Sequence, residues 1–295
     1  MTMHSYLRAV GFSNVNTRAE LDKIIGMVMD QPTASYVTQK GDKNVLTEIT
    51  KDFSERMGIT LRGEYDEKGF FHLEHYFPHF KGQVISTKEE VAVNKRVDTD
   101  AYTGMCDDIR LGVSLIFYLQ NVIDYVDFKK EKGTNTLYAP VVLSGLSTSG
   151  SILFGINTDE KQKDNKTSET IRRNKLIADA RNGDQEAIDS LTIDDIDLYA
   201  AISRRAKQED IYSIVDTSFI PYGSESDNYS LVGTIVDYKL VVNELTKESV
   251  YDLFIECNDL MYEVCINKID LLGEPMVGRR FKGNIWMQGF INFAE

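Results

Sequence analysis

Residues 278–293 read GRRFKGNIWMQGFINF, and their alternation decides how the chain is built. In an extended strand successive side chains point to opposite faces. One face then carries Phe281, Gly283, Ile285, Met287, Gly289, Ile291 and Phe293, which is a core face. The other carries Lys282, Asn284, Trp286, Gln288, Phe290 and Asn292, polar except for Phe290 and Trp286, the only tryptophan in the chain. Upstream, Leu260, Tyr262, Val264 and Ile266 alternate with Met261, Glu263, Cys265 and Asn267. Tyr251–Cys257 and Ser230–Val242 are rich in β-branched and aromatic residues, and Asn258-Asp259 between two runs predicts a tight hairpin. Gly273–Gly278 reads as a turn before the last strand. This spacing predicts a small antiparallel barrel or a strongly curved sheet over residues 210–295, and a five-stranded oligomer-binding barrel is one form it takes.

Going back to the start, residues 3–10 read as a short helix ending at Gly11. Thr17-Arg-Ala-Glu20 is a capping box, and Leu21, Ile24, Ile25, Val28 and Met29 follow at helical spacing, which predicts a helix over 18–30. Residues 45–57 fit either period, with Gly58 as a helix-terminal glycine. Ile59–Tyr65 and Phe70–Phe77 flank Asp66–Gly69 as a hairpin. Strands are expected at Val91–Val97 and over the alternation Ile109, Leu111, Val113, Leu115, Phe117, followed by a helix through Val122, Ile123 and Val126. Two more strands, near Tyr138–Leu143 and Ser151–Ile156, bracket a small-residue loop at Ser144–Gly150. The expected class is α+β: an N-terminal mixed or antiparallel sheet with helices over 1–157, a linker and helical connector over 158–209, and the antiparallel β unit over 210–295. Thr158–Ser168 contains no large apolar residue and reads as the linker. Ile171–Ala206 is helical in pattern, broken at Gly183-Asp184 and capped again near Thr192, with Ile193, Ile196, Tyr199, Ala200 and Ala206 on one face.

The 295 residues are 42% apolar and 27% charged, ordinary for a globular protein. The net charge of −13 is uneven: residues 1–157 hold 17 Lys/Arg against 20 Asp/Glu, and residues 158–295 hold 16 against 26. Phosphate backbones attract cationic surfaces, so nucleic acid is not an expected partner. No apolar run reaches about 18 residues and the N-terminus lacks a charged-then-apolar leader, so neither a membrane span nor secretion is expected. Cys106, Cys257 and Cys265 are odd in number and scattered, which reads as reduced thiols in a cytoplasmic protein.

Candidate chemistry is sparse. His72, His75 and His79 hold three of the four histidines, but strand alternation sends His72 and His75 to opposite faces, so no metal is expected. Cys106 stands beside Asp107 and Asp108, whose charges raise a thiol pKa, and catalysis there is not expected. Ser144–Gly150 lacks the lysine of a phosphate-binding loop, and no cofactor is expected. The features that remain are Trp286 and Phe290 on a polar strand face and the basic cluster Arg279, Arg280 and Lys282. Either the helices of 171–206 cover the aromatic pair, or a partner does, as anchors of an interface.

Four strings carry a resemblance: MHSYLRAVGFS (3–13), LRGEYDEKGFFHLEHYFP (61–78), CDDIRLGVSLIFYLQN (106–121) and CINKIDLLGEPMVGRRFKGNIWMQGFINF (265–293). Together they resemble a bacterial domain-of-unknown-function family, number 3881, nearly end to end. The resemblance implies one complete intracellular bacterial protein and no particular activity or functional residues. The residues favour a non-enzymatic interaction or regulatory protein that binds a protein partner or itself as a homo-oligomer. The alternative is a small-molecule enzyme with its site between the two halves.

Overall fold

Alternating apolar residues here form strands that close on themselves. The computed structural model describes residues 3–40, 44–96, 101–108, 110–111, 114–156 and 160–293. A 3-10 turn at Ser5–Val10 leads to helix α1 (Arg18–Asp30) and four strands: β1 (Ala34–Lys40), β2 (Asn44–Ser54), β3 (Met57–Tyr65) and β4 (Phe71–Phe80). Then come β5 (Ile85–Thr87), β6 (Glu90–Lys95), β7 (Tyr102–Cys106), β8 (Leu115–Leu119), α2 (Val122–Lys132), β9 (Thr136–Tyr138) and β10 (Val141–Leu153). A helical hairpin follows, α3 (Glu160–Arg181) and α4 (Gln185–Arg205), with the short α5 (Ile211–Ile214) after it. The chain ends with β11 (Ser218–Pro221), β12 (Asn228–Val242), β13 (Ser249–Cys257), β14 (Leu260–Asn267), β15 (Leu271–Leu272) and β16 (Arg280–Ile291).

Strands β1–β4 make an antiparallel sheet in sequence order. The other twelve share one sheet, and within it β12, β13, β14, β10 and β16 close a ring, because β16 pairs with both β10 and β12. The class is α+β with a closed five-stranded barrel, as the C-terminal alternation predicts. Every junction of the ring is antiparallel except β10–β14, which is parallel. Its first strand, β10, precedes the helical hairpin, so hydrogen bonding crosses the connector. On β16 the core face is as the alternation predicts: Phe281, Ile285, Met287 and Ile291 fill the barrel with Leu143, Leu231, Leu253, Tyr262 and Val264. A second core lies outside the barrel, where Trp286, Leu146, Val250 and Cys265 meet Leu7, Val10, Leu21, Ile25, Ile59 and Phe77 from the N-terminal turn, α1 and the four-stranded sheet.

The local signals were mostly clear. The Thr17 hydroxyl accepts from the Glu20 amide, and Glu20 accepts from the Thr17 amide, so the capping box starts α1 as expected. Asn258 and Asp259 have φ of 53° and 60°, the left-handed pair that a two-residue hairpin needs. Four readings are corrected. Gly58 does not end a helix: it sits in β3, where a Cβ would lie 1.9 Å from the Lys51 carbonyl oxygen. Ser144–Gly150 is not a loop but the middle of β10, with a bulge between Ser147 and Gly150. Residues 160–168 are the first turns of α3 rather than linker. Thr192 is interior to α4, its hydroxyl donating to the Ile188 carbonyl at 2.8 Å, rather than a cap. Val97, Ile109 and Val113 lie outside the described residues.

Candidate functional site

The hairpin of α3 and α4 is where the sequence leaves apolar surface without a neighbour. Gly183, at φ 88°, makes the turn, and the Asp184 carboxylate accepts from the amides of Glu186 and Ala187 at 2.9 and 3.2 Å to start α4. The helices pack on each other, and α4 also on α5; among the described residues neither makes an extended contact with a sheet. Arg172 pairs with Asp194 at 3.1 Å and Arg173 with Asp195 at 2.8 Å across the hairpin. Ala187 is the one buried residue of α4. On the face that the periodicity picks out, Ile193 is 59% exposed, Ile196 62% and Tyr199 75%. A helix with such a stripe needs something to lie on.

The base of this arm uses the residues expected as a basic patch. Arg280 is not an exposed cation: it is buried and its guanidinium donates to the carbonyls of Phe154 at 3.0 Å, Val215 at 2.8 Å, Asp216 at 3.3 Å and Tyr212 at 2.5 Å. Those carbonyls belong to the chain entering the arm and the chain leaving it, so one side chain ties both ends to β16. Burial pushes its pKa down, opposed by Asp216. Lys282 Nζ lies 4.1 Å from the centre of the Tyr212 ring, and the Arg279 guanidinium lies 5.6 Å from that of Phe154. Arg279 also donates to the Glu274 carbonyl at 3.2 Å.

Trp286 is not covered by residues 171–206. It is buried under the N-terminal turn, with ring centroids 4.8 Å from His4, 5.5 Å from Tyr6 and 5.1 Å from Tyr118, and its indole N–H donates to Asp227 at 3.0 Å. Burial pushes the His4 imidazole down to about 4, so it packs there uncharged at neutral pH. Phe290, on the same strand face, stays 40% exposed. The aromatic pair is thus split between a core and a surface.

The polar side chains singled out in the sequence have separate engagements. His72 pairs with Asp66 at 2.9 Å, His75 meets the Tyr118 hydroxyl at 3.0 Å, and His79 is buried between Thr60 at 3.0 Å and Asp52 at 2.8 Å. Burial, with Asp108 and Asp107 adding to it, pushes the Cys106 thiol up to about 12, the wrong direction for a nucleophile. Asp108 itself is held by Arg110 and Thr87. No local pattern points to the charge cluster between sheet and barrel, where Arg56 reaches Asp252 at 2.5 Å and Glu263 at 2.6 Å. Both carboxylates are buried, and burial pushes Asp252 up to about 6, against the pull of Arg56. Arg56 has φ 62°, the conformation that turns β2 into β3 and aims this side chain at the barrel. A cavity of about 290 Å³ is lined by Glu89, Glu90, Ala92, Met105, Asp107, Thr136 and Tyr138, all from one half of the chain.

No curated protein and no solved structure matches the chain. A family model does, over residues 7–289, and its description reads "Domain of unknown function, E. rectale Gene description (DUF3881)". That match runs from within the N-terminal turn through the four-stranded sheet, the arm and the barrel ring to two residues before the end of β16, so the chain belongs to this domain-of-unknown-function family.

Proposed function

We propose that this chain is a non-enzymatic protein-interaction module, and that α4 is the element it offers. The observation that carries the reading is the stripe Ile193, Ile196 and Tyr199, more than half exposed on a helix with one buried residue. Large apolar side chains in a row on a surface helix are the usual anchors of helix-in-groove and helix-bundle contacts. The barrel supports the same reading by its solidity: its interior is filled by side chains such as Phe281, Tyr262 and Met287, which leaves it as a platform. A protein partner suits the charge better than a nucleic acid does, since the chain carries −13 overall. No described helix is long and apolar enough to cross a membrane.

The test is comparative capture from a lysate of the cell of origin. Wild-type protein is expected to retain specific partners that the Ile193→Ser, Ile196→Ser, Tyr199→Ser variant loses, while the variant melts at the wild-type temperature. Recovery of the same proteins by both would overturn the reading.

A further inference from the structure

The bodies of two copies repel each other and their arms do not. Residues 160–205 contain nine of the 33 Lys/Arg and ten of the 46 Asp/Glu. The rest of the chain therefore carries nearly all of the −13. Like-charged surfaces brought together cost association, so two copies meet most easily where each is near neutral. The near-neutrality is also divided. Residues 160–181 hold seven Lys/Arg against four Asp/Glu, and residues 185–205 hold two against five. One helix of the arm is basic and the other acidic.

We infer that the apolar face of the arm is covered by the arm of a second copy, with α4 of each chain lying on α3 of the other. This deepens the interaction reading above and rests on it. Across a two-fold axis the same contact is made twice, so one complementary pair of faces serves both halves of the interface. On α4 the stripe Ile193, Ile196 and Tyr199 is flanked by the exposed Asp189 and Asp197. On α3 the facing apolar residue is Ile171, 66% exposed, with the exposed Lys175 one turn along, while Arg172 beside it is held by Asp194 of its own α4. Apolar side chains then meet apolar ones in the middle, and acid meets base at the edges. The opposite arrangement, α4 on α4, would set Asp189 and Asp197 against their own copies. The size is adequate: a 21-residue helix is about 30 Å long, and a two-helix face about 20 Å wide is on the scale of the ~800 Å² per partner of a standard interface.

Sedimentation of the full chain at about 100 μM tests this with two charge-reversed variants. Wild type is expected at about twice its 33.5 kDa. The α4 variant, Asp189→Lys with Asp197→Lys, and the α3 variant, Lys175→Glu, are each expected to run as monomers, with dimer affinity down at least tenfold. Mixed in equal amounts, they should dimerise again, because each reversed α4 finds a reversed α3. All three sites are exposed, so melting of the body should be unchanged, and restoration on mixing itself excludes misfolding as the cause. A monomeric wild type overturns the inference. So does an α3 variant that dimerises alone, which would mean that α4 meets α4. If wild type is monomeric but the Ser variant still loses captured partners, the second copy is the wrong occupant and the interaction reading stands. If both fail, the arm is not a docking element.

Discussion

Trp286 and Phe290 stand four residues apart on one strand face and have different neighbours. Trp286→Ala removes a ring packed by His4, Tyr6 and Tyr118 and takes one of two donors from the Asp227 oxygen that Arg96 also holds. It should cost about 3–5 kcal/mol, and Phe290→Ala about 1 kcal/mol or less. Urea unfolding of the two single variants checks this, and equal losses would contradict it. Strand parity put both rings on the outer face correctly, but parity says nothing about what lies over a face. The cover comes from His4 and Tyr6, some 280 residues earlier, and no local pattern links them. Asp252 was equally silent in sequence, and it supports a pH prediction. Burial raises its folded pKa to about 6 from 3.8, so between those values the folded state holds a proton that the unfolded state lacks. Its contribution is therefore fully present below about pH 4 and lost as pH rises through 6, by about 3 kcal/mol at most. Against Asp252→Asn, wild type should gain stability on going from pH 7 to pH 5, measured by denaturant unfolding at both. A gap that does not move with pH would show that Asp252 stays charged.

At the scale of elements, the strands of the barrel were legible and the arm was only half so. Residues 228–291 alternate because one side faces a filled barrel, and burial on a single face is what period two records. Strand β10 hid the same pattern under small residues: Ser144, Gly145, Ser147 and Gly150 read as a loop, yet small side chains suit it because Phe281 and Ile285 press against the backbone there, with a Cβ on Gly150 lying 2.5 Å from the Phe281 ring. The start of α3 lacks large apolar residues and so has no period to read, although a polar helix can be held by pairing along its length. Arg280 shows the limit most clearly, since a basic cluster in sequence reads as a solvated patch and only the fold reveals four carbonyls around it. Arg280→Met keeps the apolar stem and removes the donors. With charge-assisted bonds worth about 1.5–3 kcal/mol each, chymotrypsin should cut after Tyr212 at least tenfold faster. Mass spectrometry of a timed digest reads this, and an unchanged cleavage rate would mean that the arm's base holds without the guanidinium.

For the whole molecule, the order of strands in the ring matters as much as the ring. The barrel takes its first strand from before the arm and its last from the end of the family-matched region. A chain leaving the ribosome therefore completes β10 long before either of its ring neighbours exists. Its antiparallel partner β16 begins roughly 140 residues after β10 does, which at 5–20 residues per second is a wait of roughly 7–30 s. Until β14 emerges, only β5 among the strands already made pairs with β10, at Val141 and Val142, and the rest of its thirteen residues, Leu143 and Leu146 among them, is an open edge of the kind that recruits strands from other chains. Stop codons anywhere from the arm to residue 260 would release chains frozen in that state, prone to aggregate rather than to fold in part.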